Sequence, residues 1–145
     1  MLTTYPESRQ PMTISITKSS IDFGIVTKEI EPMLTFYRDV VGLPYQAKVD
    51  MPGGTTMHRL LAGESVIKIL VQAKEPAAVA PSGGVAGATG YRYWTISIDN
   101  LDEITAQCSA AGYKVPVALM DVRPGVRISM VEDPDGNWVE FLEQT

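Results

Sequence analysis

The stretch IDFGIVTKEIEPMLTFYRDVVG, residues 21–42, decides the fold, because its pattern returns as YRYWTISIDNLDEITAQCSAAG at residues 91–112. In the first copy, Phe23 and Ile25 alternate with Asp22, Gly24 and Val26, which predicts a strand over 21–27. Ile30, Met33, Leu34, Tyr37 and Val41 then recur at helical spacing, so a helix is expected over 27–41. Pro32 falls in its first turn, where a missing N–H costs nothing, and Gly42 suits a left-handed C-cap. In the second copy a strand is expected over 91–98. Asn100 is placed to cap the following helix, with Glu103 as its capping-box partner. Leu101, Ile104, Cys108 and Ala111 share one face of that helix, and Gly112 ends it.

Each copy is followed by three strand-like runs. They span 45–51, 56–61 and 65–72 in the first half, and 114–122, 126–132 and 138–143 in the second. Gly53-Gly54, Gly63 and the run DPDGN at 133–137 mark turns between them. Ile30 is matched by Leu101 and Asp22 by Tyr93, the same offset of 71 residues in both pairs. Such an internal repeat implies two tandem βαβββ modules, an α+β fold. Residues 20–145 form one domain on this reading, with module 1 at 20–72 and module 2 at 91–145. Between them AKEPAAVAPSGGVAGATG, residues 73–90, reads as a linker or long mobile loop. Residues 1–19, polar and holding Pro6 and Pro11, read as a loose arm or an edge strand.

Composition narrows the function. The 145 residues are 45% hydrophobic and 20% charged, an ordinary globular balance with enough apolar matter for a core. Twelve Lys and Arg against seventeen Asp and Glu leave a net charge of −5, which argues against nucleic acid as a partner. The one cysteine, Cys108, allows no internal disulfide and reads as packing. No apolar run approaches the roughly 20 residues of a membrane span, and the N-terminal stretch lacks a signal peptide's basic and apolar blocks. The expected location is the cytoplasm.

Side chains alternate across strands, so each module has two sheet faces. One carries Phe23, Ile25, Ile67, Ile69 and Val71, then Trp94, Ile96, Ile98, Val139 and Phe141, and belongs against the helices. The other is mixed. It carries Asp22, Gly24, Val26, Lys68 and Leu70, then Tyr93, Thr95, Ser97, Trp138, Glu140 and Leu142. A face neither wholly polar nor wholly apolar is expected to line a small-molecule pocket. With the modules side by side, Asp22, Lys68, Tyr93 and Glu140 converge as candidate catalytic groups. Thr95, Ser97, Leu70, Leu142 and Trp138 line the wall as candidate ligand contacts.

The helix segment FYRDVVGL (Phe36 to Leu43) and the closing run MVEDPDGNWVEFLE (Met130 to Glu143) resemble the vicinal oxygen chelate superfamily. That superfamily includes glyoxalase I, extradiol dioxygenases, methylmalonyl-CoA epimerase and bleomycin-resistance proteins. The resemblance covers residues 21–145 and implies paired βαβββ modules curved around an active site, with frequent homodimers. It also implies four metal-binding positions, one on the first and one on the last strand of each module. They fall on Asp22, Lys68, Tyr93 and Glu140. Only Glu140 matches the usual pattern. An ammonium has no lone pair to offer while charged, and a neutral phenol is a poor ligand. No tightly bound metal and no other cofactor are therefore expected.

Lys68 and Glu140 read either as an ion pair filling a vacated metal site or as working groups. In the second case Lys68 does the metal's job by stabilising an enolate oxygen, Glu140 or Asp22 shuttles a proton, and Tyr93 donates a hydrogen bond. His58, the one histidine, joins the site if the hairpin at Gly63 pairs it opposite Lys68. A register shifted by one residue sends it to the other face and brings in Arg59. Trp138 and Tyr93 either stack on an aromatic ligand, or Trp138 packs against its own hairpin. Three functions follow from the resemblance: a metal-independent isomerase, epimerase or lyase acting on a carbonyl compound; a small-molecule binding or resistance protein; and a metal-dependent lyase or dioxygenase.

Overall fold

The computed structural model describes residues 12–145; residues 1–11 of the expected arm lie outside the described residues. The first module runs β1 (Phe23–Val26), α1 (Ile30–Leu34, continued by a π-helical turn Thr35–Val40), β2 (Tyr45–Asp50), β3 (Thr56–Ala62) and β4 (Ser65–Val71). A helical turn, α2 (Gly84–Gly87), interrupts the connection. The second module runs β5 (Tyr93–Ser97), α3 (Leu101–Ala110), β6 (Val117–Arg123), β7 (Val126–Glu132) and β8 (Trp138–Gln144). Each module forms a four-stranded mixed sheet, ordered β1-β4-β3-β2 and β5-β8-β7-β6. β1 lies parallel to β4 and β5 parallel to β8, while the remaining pairs are antiparallel hairpins. The tandem βαβββ repeat is the architecture.

Two local expectations change. The first helix begins at Ile30 rather than Thr27, and its second half is π-helical: Val41 N–H donates to Phe36 O at 2.8 Å, one residue beyond α-helical spacing. The capping box at Asn100 does not form, since Asn100 makes no side-chain cap. Leu101 N–H instead donates to the Glu143 carboxylate at 3.4 Å. Gly42 (φ 89) and Gly112 (φ 92) end the helices in the left-handed conformation.

One core serves both modules. Met33, Phe36, Tyr37, Leu60, Ile67 and Ile69 of the first are buried with Leu101, Cys108, Val131, Val139 and Phe141 of the second. Phe23 meets Trp94 edge to face at 4.4 Å, and Phe36 meets Tyr113 at 4.7 Å. At its centre Tyr37 Oη donates to Asp133 Oδ2 at 2.7 Å. Asp133 is the first residue of the DPDGN turn. Its Oδ1 accepts from the N–H groups of Asp135 and Asn137 at 2.9 Å each, and its Oδ2 also accepts from Asn137 Nδ2 at 2.9 Å. The aspartate thus fixes its own turn and ties that turn to the helix of the other module. Burial raises the Asp133 pKa against the opposing pull of these hydrogen bonds.

Tyr37→Phe keeps the aromatic packing and removes one hydrogen bond from a buried carboxylate. Urea unfolding is expected to show a loss of about 1.5–3 kcal/mol with an unchanged m-value. The lost bond is one that lowers the Asp133 pKa, so the variant pays more to ionise that group. The deficit therefore grows as pH rises through the carboxylate range and shrinks below it.

Candidate functional site

The strand registers decide which side chains share the open face. In the first module Gly24 lies beside Lys68 and Val26 beside Leu70, while Arg59 and Met57 of β3 stand opposite Lys68 and Leu70. In the second, Tyr93 lies beside Trp138, Thr95 beside Glu140 and Ser97 beside Leu142. Met130 and Ile128 of β7 oppose Glu140 and Leu142. Every expected site residue except His58 therefore lies on, or directly extends, the face turned away from the helices. That face is open: Tyr93 and Val26 remain 48% and 47% exposed.

His58 is corrected by the register. The two-residue turn at Gly63-Glu64 pairs Ala62 with Ser65, which carries His58 opposite Ile69 and Arg59 opposite Lys68. His58 is buried on the helix side, where its Nδ1 lies 2.8 Å from the Tyr45 hydroxyl. Burial, reinforced by the Lys48 charge, lowers its pKa. The residue brought to the site in its place is Arg59. Its Nε donates to Gln46 Oε1 at 2.8 Å. Gln46 sits at an irregularity of β2, where the register shifts between Tyr45 and Ala47. Sequence reasoning named Arg59 only as the other outcome of the register, and the glycine turn was the signal that distinguished them.

The charged groups do not pair as an ion-pair reading expects. Among the described residues Lys68 forms no ion pair, with Glu140 or any other carboxylate. Glu140 Oε1 instead accepts from Thr95 Oγ1 at 2.7 Å. Asp22 accepts from Val66 N–H at 2.7 Å and from Lys18 Nζ at 2.9 and 3.2 Å. The Val66 amide, then Lys18, hold the Asp22 pKa below the ordinary carboxylate value. Asp22 is thus a poorer proton acceptor than an ordinary carboxylate.

Residues 73–90, expected as a linker or mobile loop, make contacts with the second module. Arg92 reaches back to this segment, its Nε donating to Gly84 O at 2.6 Å and its Nη2 to Pro81 O at 2.8 Å. This presses Gly84 onto the Trp138 indole so closely that an added Cβ would fall 2.2 Å from Cδ2. Trp138 Nε1 donates to Glu132 of its own hairpin at 3.3 Å. One side of the indole is therefore already covered by the chain. Two open depressions lie at matching ends of the modules. One, of about 530 Å³, is lined by residues including Val26, Gln72 and Lys74; the other, of about 500 Å³, by residues including Ser97, Asn100 and Gln144. Neither is lined by Lys68 or Glu140.

The four positions to which the resemblance assigns a metal are Asp22, Lys68, Tyr93 and Glu140. Lys68 places a positive charge without a lone pair there, Tyr93 offers a phenol, and Asp22 is engaged by Lys18 and Val66. Among the described residues no three His, Cys, Asp or Glu side chains gather closely enough to hold a metal ion. No helix of the described residues is long and apolar enough to cross a membrane.

Residues 20–141 match the family model described as Glyoxalase/Bleomycin resistance protein/Dioxygenase superfamily. A lactoylglutathione lyase of Schizosaccharomyces pombe is 29% identical over 129 residues, covering 81% of this chain. The chain spans 42% of that relative's length. Among solved structures, a glyoxalase family protein from Bacillus cereus superposes with a TM-score of 0.77 at 15% identity, covering 92% of this chain and 99% of the other. A trypanothione-dependent glyoxalase I of Leishmania major gives 0.63 at 18% identity, covering 88% and 87%. These structural likenesses bear on the fold.

Two outcomes are expected from this geometry. The folded-state pKa of His58 is depressed from 6.5, so its contribution to stability is present above that pH and lost as pH falls below it. His58→Gln, which removes the one histidine, is expected to flatten the acid-side decline of the melting temperature just below pH 6.5. Gly84→Ala adds a Cβ against the indole at a φ of +53. It should release residues 73–90 from Trp138, read as red-shifted tryptophan emission and faster proteolytic cleavage in that segment.

Proposed function

The chain belongs to the Glyoxalase/Bleomycin resistance protein/Dioxygenase superfamily, and from that premise we propose that it binds a small organic molecule on the open sheet face and acts on it without a metal. The observation that carries this reading is Lys68, a half-buried residue at a position to which the resemblance assigns a metal ligand, with no carboxylate ion-pair partner among the described residues. Preorganised positive charge stabilises an oxyanion that develops in a transition state. The reaction class is proton transfer next to a carbonyl, as in an isomerase, epimerase or lyase. A carboxylate takes the proton as the C–H bond breaks, and the electron pair moves to the carbonyl oxygen. Lys68 stabilises the resulting enolate, with the Tyr93 hydroxyl as a second donor. Return of the proton completes an isomerisation or epimerisation. Glu140 is the stronger candidate for the base, because Asp22 is held ionised by three hydrogen bonds. A cytoplasmic homodimer, as the superfamily resemblance implies, is part of the same reading.

A second reading, a binding protein that releases its ligand unchanged, is supported by the apolar floor of Leu70, Met57, Leu142, Met130 and Ile128. Deuterium wash-in at the carbon beside the carbonyl, followed by NMR over a panel of carbonyl metabolites, separates the two. The enzymatic reading expects exchange in the wild type and a loss of about 10²-fold or more in Lys68→Ala, the scale of one oxyanion donor. Exchange that survives this substitution sinks the Lys68 mechanism. Ligand binding with no exchange in either protein establishes the second reading. One metal per chain by elemental analysis, with exchange lost on chelation, overturns both.

A further inference from the structure

The register that turns His58 inward has a second result: it sets two cations directly opposite each other on the open face. Arg59 and Lys68 are cross-strand partners on β3 and β4. Directly opposed like charges in a sheet repel. Such pairs are normally relieved by a carboxylate, yet among the described residues neither side chain forms an ion pair. This occurs in a chain whose net charge is −5. The nearby Asp22 is engaged by Lys18 and the Val66 amide.

The surroundings aim the pair rather than neutralise it. Gln46, at the irregularity in β2, accepts from Arg59 Nε at 2.8 Å and so orients the guanidinium; among the described residues the terminal nitrogens have no oxygen partner, and Nη1 lies 4.0 Å from the Met57 sulfur. Irregularities of this kind re-aim side chains beside binding sites. On the other side of Lys68 stands Gly24, which puts no side chain over the ammonium. Two half-buried cations, one with its guanidinium oriented, beside the exposed Gly24 suit an oxyanion.

We propose that Arg59 and Lys68 form a two-point clamp for the anionic group of the ligand, so that the ligand class is a small organic oxyanion. Arg59 takes the oxyanion by its terminal N–H fork, and Lys68, whose ammonium has three donors, adjoins it while still facing the carbonyl oxygen. The inference rests on the open face being the ligand site. It goes further by fixing the charge of the ligand and by making Arg59 a specificity-determining residue. Carboxylate and phosphate share this chemistry.

The test is titration of the ¹⁵N-labelled full chain with pyruvate, inorganic phosphate and the neutral analogue pyruvamide, at constant ionic strength set with sodium chloride. The clamp predicts saturable shifts at the amides of Gly24, Arg59 and Lys68 for an anion and a much weaker response to pyruvamide. Arg59→Gln should weaken the anion about tenfold, the loss of one charge-assisted contact. Arg59→Lys should recover part of it, and Gln46→Leu should weaken it a few-fold with Arg59 in place. The tighter of the two anions assigns the group as carboxylate or phosphate. Equal affinity in Arg59→Gln, or shifts confined to other residues, overturns the clamp. If pyruvamide binds the same amides as tightly as pyruvate, the clamp fails and the small-molecule site stands. If neither anion nor any carbonyl compound perturbs this face, the reading of the open face fails with it.

Discussion

The hydroxyl of Tyr37 and the carboxylate of Asp133 meet at 2.7 Å in the interior, and much of the fold is arranged around that contact. Tyr37 is fully buried and Asp133 nearly so. An ionised carboxylate in such a place is costly unless its lone pairs are filled. Here they are, by one hydroxyl, two turn amides and one side-chain amide. The result is a polar pin between the helix of one module and the last turn of the other, which apolar packing alone does not specify. That turn precedes β8, so the pin also sets where Trp138 and Glu140 emerge.

With the helix faces committed to one shared core, the opposite faces of both sheets are left for function. The two halves have used theirs differently. The second module carries Glu140 tied to Thr95, and Trp138 half covered by Gly84. The first carries a lysine and an arginine side by side, with no ion-pair partner among the described residues. The repeat therefore preserved the scaffold while the chemistry of the two faces diverged, as expected where a fold serves as a frame for grafted sites.

Much of this was legible in the residues. The offset between Ile30 and Leu101 revealed the repeat, and alternation in Phe23-Ile25 and Ile67-Ile69 identified the buried faces. The π-helical turn at 35–40 was not legible, because α and π helices differ by a single hydrogen-bond step that apolar spacing does not resolve. Asn100 makes no side-chain cap, and at that helix end the Leu101 N–H is taken by Glu143 from β8. Residues 73–90 carried a composition typical of a linker, but Gly84 within them packs on the indole of Trp138, a partner distant in the chain. Local composition cannot announce a contact made by another segment.

The sequence by itself determined the α+β class, the paired βαβββ modules, and which strands present Lys68 and Glu140 on their second faces, because these follow from periodicities of 2 and 3.6 residues. Only the tertiary structure decided that His58 points inward while Arg59 stands opposite Lys68, and that Lys68 and Glu140 leave each other unpaired. Register and side-chain pairing depend on turns and on partners distant in the chain. A shift of one residue, nearly silent in sequence, exchanges a histidine for an arginine on the face that matters.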